Sequence, residues 1–188
     1  MSTGGFGGRG KDLEEQFFRQ RDMELLKAFR AKAAEKEKRE ALSEASGIFE
    51  EELLDQLIDL DVSAETLAAL GLIPLVAVAW ADGHMDDKER DAILAAAQQK
   101  GVQQEHPGYE LLQGWLKRKP DPALMTVWKG YVKALAESLD EEARNTLKED
   151  LLGRARTVAE TAGGLLGFGN KVSKAEQAVL SELETAFD

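Results

Sequence analysis

Residues 72–94 read LIPLVAVAWADGHMDDKERDAIL, and their two halves follow different rules. Leu75, Val76, Val78, Ala79 and Trp80 are apolar on nearly every side of a helix, which predicts the central, most buried helix of the chain. Asp82-Gly83 then stops it, with Gly83 in the left-handed conformation that ends many helices. Asp86-x-x-Glu89 is a capping-box pattern that starts the next helix, from Asp87 to about Lys100. Gly101 closes that helix. A core helix, a sharp turn and a cluster of carboxylates are thus encoded in one stretch.

Composition extends the helical reading to the rest of the chain. Glu, Lys, Ala and Leu dominate the 188 residues, and β-branched residues are sparse, which favours helices over strands. We expect an all-α bundle of about seven to eight helices. No Cys is present, so disulfides and thiolate metal sites are excluded. The N-terminus lacks a basic-then-apolar leader pattern, and the apolar run Leu70 to Ala81 is too short to cross a bilayer. A soluble, cytoplasmic protein is expected. Net charge is −11 and uneven. Residues 1–45 hold ten Lys/Arg and nine Asp/Glu, whereas the remainder holds 14 and 26. An acidic body argues against nucleic acid as the main partner and suits cations or basic surfaces.

Residues 1–10 read as a glycine-rich lead that should be flexible when free. Gly5-x4-Gly10-Lys11 imitates a phosphate loop, but Asp12 replaces the magnesium-binding hydroxyl and no strand leads in. Residues 11–45 read as one long helix. Leu13, Phe17, Phe18, Leu25, Leu26 and Phe29 recur at helical spacing, and every residue from Glu35 to Glu40 is charged. Either its first half packs on the body, or it is an arm that docks on another protein. The run GGFGGRGKDLEEQFFRQRDMELLKAF resembles the inhibitory segment of the mitochondrial ATP synthase inhibitor protein. Phe6-Gly7, Arg9, Glu14-Glu15, Phe18-Arg19, Arg21, Glu24 and Leu26 carry the likeness, over about the first 30 residues of the chain. The resemblance implies a helix that inserts into the ATP synthase catalytic head. Phe6, Arg9, Glu14, Glu15, Phe17, Phe18, Arg19, Arg21 and Glu24 are then the partner-binding candidates. The family's histidine-rich region is absent.

Beyond Ser46-Gly47, residues 48–188 form the second part. Ile48 to Leu60 reads as a helix with an acidic outer face, Ser63 as a cap, and Pro74 as the boundary between two helices. Further helices follow at Tyr109–Leu116, Ala123–Leu139, Asp140 through Val158, and Ser173–Phe187. Gly163-Gly164 and Gly167-x-Gly169 interrupt the last two. They are not a dinucleotide fingerprint, because no strand precedes them.

Shifting the chain by 87 positions lays Asp82–Glu89 over Gly169–Glu176. The shared pattern is a turn, an apolar residue, a cap oxygen and Glu three later. Two helical hairpins about a pseudo-twofold would produce it; so would recurrence of a common cap motif. The sequence over roughly residues 50–187 resembles the tellurite-resistance TerB-like family, through Ala81-Asp82-Gly83, Met85, Asp86, Glu89, Ile93 and the second Gly-turn helix. That resemblance implies a non-enzymatic, stress-related helical bundle whose acidic residues bind metal. Gly169 stands where the second turn would need its Asp.

The first turn also imitates the back half of a calcium loop. Its first and third ligand positions, however, fall on Val78 and Trp80, which cannot coordinate. A partial Ca or Mg site from Asp82, Asp86, Glu89 and Glu176 is one reading, and capping alone is the other. His84 and His106 lack i,i+4 partners and read as surface residues, not zinc ligands. No Ser or Cys nucleophile pattern is present. A hydrolase would need paired carboxylates converging in a cleft, and no residue pattern picks out such a pair.

Overall fold

The computed structural model describes residues 7–162 and 172–187. Among them the chain is all helical, as its composition predicts, with eight α-helices and no strand. These are α1 (Gly7–Ser46), α2 (Glu51–Asp59), α3 (Ile73–Ala79), α4 (Asp87–Gln99), α5 (Pro107–Lys117), α6 (Pro122–Glu137), α7 (Glu141–Ala162) and α8 (Lys174–Glu184). A 3₁₀ segment, Leu67–Leu72, leads into α3, and another, Thr185–Phe187, follows α8.

The chain divides into two compact units, Met1–Glu40 and Ala41–Asp188. The first contains most of α1, which begins at Gly7 and so takes four residues of the glycine-rich lead into the helix. Every described side chain from Gln20 to Lys38 is exposed. Lys36 Nζ lies 3.5 Å from Glu40 Oε1, one i,i+4 pair of the charged half, which needs no apolar cover to stay helical.

The second unit opens with the last turn of α1, where Leu42 is fully buried. Gly47, at φ 71°, ends the helix in the conformation glycine tolerates best. Ser43 Oγ donates to the Ile48 carbonyl at 2.6 Å. This holds the chain outside the helix until Glu51, so Ile48 enters the core ahead of α2 and not as part of it. Leu53, Leu54 and Leu57 of α2 are buried, and α2 packs on α6. The Ser63 turn is closed reciprocally. Thr66 N donates to Ser63 Oγ at 3.3 Å, and Ser63 N donates to Thr66 Oγ1 at 2.8 Å.

Pro74 sits in the first turn of α3, where its missing N–H costs nothing. Six of the seven α3 residues are buried, confirming this as the central helix. It packs against α7 and α8, while α4 packs on α7, and α7 on α8. These pairs are the ones a two-fold exchange of α3–α4 with α7–α8 requires. Lys100, just after α4, reaches Asp150 of α7 at 2.9 Å, and Lys129 of α6 reaches Glu182 of α8 at 2.7 Å.

Candidate functional site

The first turn is built from its backbone outward. Gly83, at φ 90°, donates its N–H to the Trp80 carbonyl at 3.0 Å. Asp82 Oδ1 accepts from His84 N at 2.9 Å. Met85 then packs against the core, and Asp86 takes extended backbone as the N-cap of α4. Its Oδ1 accepts from Glu89 N at 2.8 Å, and Glu89 Oε2 accepts from Asp86 N at 2.9 Å. Two orphan donors of the helix start are satisfied by this exchange.

The second turn repeats the device with a hydroxyl. Glu176 N donates to Ser173 Oγ at 3.2 Å, and Glu176 Oε2 accepts from Ser173 N. Val172, at the position of Met85, likewise packs against the core. Glu89 and Glu176 are 5% and 7% exposed, the two buried charged residues among the described core. They interact electrostatically, so the turns that align in sequence also bring their carboxyls within reach of each other.

Burial pushes the Glu89 carboxyl up to about 7, from an ordinary value of 4.5. The Asp86 N–H opposes this, and negative charge on Asp86, Glu176 and Asp82 adds to it. The other three residues of the expected cation site therefore bear on Glu89. They are not drawn together as ligands, however. Among the described residues no group of three or more His, Cys, Asp or Glu is placed to hold a metal ion. Each of the four spends a carboxylate oxygen on a backbone N–H. The arrangement performs helix capping and holds one carboxyl that gains a proton easily.

Two roles were not read from the sequence. His106 is the N-cap of α5, its Nδ1 accepting from Gly108 N at 3.0 Å. The signal was Pro107, since a proline at the first helical position marks the residue before it as the cap. Trp80 Nε1 donates to the Trp115 carbonyl at 2.9 Å, tying the end of α3 to the C-terminal turn of α5. His84 is exposed, as expected.

A groove of about 340 Å³ runs beside Trp80, floored by Ile73, Val76, Leu124, Met125 and Val179. Asp121 and Glu182 lie on its wall, but neither is a spare acid. Asp121 Oδ1 accepts from Ala123 N at 2.8 Å as the cap of α6, and Glu182 is paired with Lys129.

Of the partner-binding candidates, Phe6 lies outside the described residues, as do the Gly163–Gly169 turn residues. Arg9, Glu14, Glu15, Phe17, Phe18, Arg19, Arg21 and Glu24 all fall within α1, and Arg21 and Glu24 are exposed. Met23, Leu25, Leu26 and Phe29 are 65%, 51%, 55% and 69% exposed. No helix among the described residues is long and apolar enough to cross a membrane.

No family model matches the sequence, and comparison with curated proteins and with solved structures returns no match.

Proposed function

We propose that the chain is a non-enzymatic helical binding module with a TerB-like body, and that it docks on a protein partner through α1. One observation carries this reading: Met23, Leu25, Leu26 and Phe29 are each more than half exposed along two turns of a helix. Four bulky apolar side chains so close together cost solvation free energy unless a partner covers them. Anchors at i, i+3 and i+4 suit a helix laid in a groove. The carboxylates of the two turns are occupied as caps, which leaves the body a scaffolding role.

The test uses the full chain and a Leu25→Glu/Leu26→Glu/Phe29→Glu variant as baits. Partners held by the first and lost by the second, with unchanged helical circular dichroism, support docking by this face. Equal retention by both removes the reading.

A second reading makes the partner the catalytic head of the rotary ATP synthase. What favours it is that the segment bearing the inhibitor resemblance lies in one continuous helix from Gly7, the form the resemblance implies. Full-length protein should slow ATP hydrolysis by the purified cognate enzyme, and Phe18→Ala with Arg19→Ala should relieve the block. Unchanged turnover discards this reading.

A further inference from the structure

We propose that the body binds an apolar monocarboxylate, its carboxylate held at Lys100 and its tail laid in the groove between α6, α7 and the 3₁₀ segment Leu67–Leu72. The site goes beyond the docking reading and uses none of the exposed apolar side chains of α1.

The groove measures about 450 Å³, within the range that small-molecule sites occupy. Leu67, Gly71, Trp128, Tyr131, Leu135 and Leu147 line it, and its charged groups are Lys100 and Asp150. Leu67, Tyr131, Leu135 and Leu147 are only half-buried, so packing of the bundle leaves apolar surface here in contact with water. A Cβ added at Gly71 would meet nothing within 4 Å. An apolar tail lying in this space would remove that surface from water.

Charge decides what the tail should carry. Asp150 Oδ2 accepts from Lys100 Nζ at 2.9 Å, and Asp150 Oδ1 accepts from Arg154 Nε at 2.8 Å. Burial raises the Asp150 carboxyl, but the hydrogen bonds and charges of Lys100 and Arg154 outweigh it and hold the carboxyl below its ordinary value. Two cations therefore share one anion. Arg154 Nη1 is buried with no acceptor among the described residues. Lys100 Nζ makes one hydrogen bond among them and can donate three. Other grooves of the body carry the opposite balance. Glu50, Glu52 and Glu137 outnumber Lys133 between α2 and α6, and Asp121 and Glu182 outnumber Lys119 beside Trp80.

A surplus of one positive charge suits a ligand with one negative charge. A phosphate dianion would add repulsion from Asp150, and an amine would meet the surplus itself. Tyr131 supplies a further polar contact. Burial pushes its phenol above the ordinary value, so the hydroxyl keeps its proton and can donate to a ligand oxygen.

The test titrates the full chain with octanoate, naphthoate and octanol, followed by amide NMR shifts. Octanoate and naphthoate represent fatty and aromatic acids, and the tighter of the two names the tail. At least one acid should saturate with shifts centred on Gly71, Lys100 and Tyr131. Octanoate should bind about tenfold more tightly than octanol, the weight of one charge-assisted hydrogen bond. Lys100→Met should erase that difference, and Lys100→Arg should keep it. Gly71→Leu, which fills the groove, should abolish binding of acid and alcohol alike with unchanged helical circular dichroism. Leu25→Glu/Leu26→Glu/Phe29→Glu should leave binding intact, so the site and the docking reading can fail separately. Absence of saturation by either acid at millimolar concentration overturns the proposal. So does equal binding of octanoate and octanol, or binding that survives Gly71→Leu.

Discussion

Glu89 and Glu176 are related through the packing of the bundle. Each is the third residue of its helix, each returns an oxygen to the N–H of its own N-cap, and each is buried. The charge of Glu176 also acts on the Glu89 carboxyl. Capping draws both carboxyls to helix N-termini, where the helix dipole favours negative charge, and the packing of α3, α4, α7 and α8 then removes them from water. Local structure favours the ionised form of Glu89, whereas burial and its acidic neighbours oppose it. With a value of about 7, the opposition wins.

A pH dependence of stability follows from that balance. The carboxyl of Glu89 titrates at about 7 in the folded chain against 4.5 ordinarily, so folding favours the protonated form. Its contribution is fully present below the lower value and is lost as pH rises through the upper one. Glu89→Gln keeps an oxygen for the Asp86 N–H and cannot ionise. Chemical denaturation should show wild type and variant nearly equal near pH 4. At pH 8 the variant should be more stable by roughly 2–3 kcal/mol. A constant difference across that range would mean that Glu89 does not titrate as described.

The coupling of the two turns can be tested separately. Glu176→Gln removes a negative charge that raises the Glu89 carboxyl while leaving an oxygen for the Ser173 N–H. The Glu89 titration midpoint, followed by carboxyl carbon NMR, should move down. An unmoved midpoint would place the two side chains out of electrostatic reach. By contrast, Asp86→Ala and Ser173→Ala should each cost about 1 kcal/mol through loss of a cap.

Both capping boxes were legible from four residues apiece, because cap chemistry is local. The central helix was equally plain, since Ile73–Ala79 offers no polar face to water. Burial of Glu89 and Glu176 was not legible: it depends on helices that pack across the bundle, and isolated sequence windows read such residues as solvated. The start of α2 was misplaced for a similar reason. Ile48 continues an apolar helical pattern, but the Ser43 hydroxyl holds its carbonyl outside the helix. The 87-residue offset reveals matching caps but not the exchange of packing partners between α3–α4 and α7–α8, which only tertiary structure supplies.

Two glycines with open space around them should respond in opposite directions. Gly83 has φ 90° and nothing within contact distance of an added Cβ, so Gly83→Ala is penalised by backbone conformation alone, by about 1–2 kcal/mol. Gly153 lies within α7, also with nothing near an added Cβ and no positive φ. There Ala is the better helix former, and Gly153→Ala should stabilise by about 0.5–1 kcal/mol. Thermal melts of the two variants should bracket the wild type. A destabilising Gly153→Ala would indicate that this face of α7 is covered.

Trp80 joins two helix ends. The Trp115 carbonyl belongs to the last turn of α5, where intrahelical donors run out, and it accepts the Trp80 indole N–H at 2.9 Å. The Trp80 carbonyl in turn accepts Gly83 N at 3.0 Å and Lys119 Nζ at 3.2 Å. Trp80→Phe keeps most of the apolar contact but leaves the Trp115 carbonyl without that donor, at a cost of about 1–2 kcal/mol. Amide exchange should quicken first at Arg118, whose N–H bonds to the Gly114 carbonyl at 3.1 Å, because the turn it closes would no longer be held from α3. Lys119→Ala removes only an exposed donor and should change stability by less than about 0.5 kcal/mol. If the Phe variant matched the Lys119→Ala variant in both stability and exchange, the indole would be acting through packing alone.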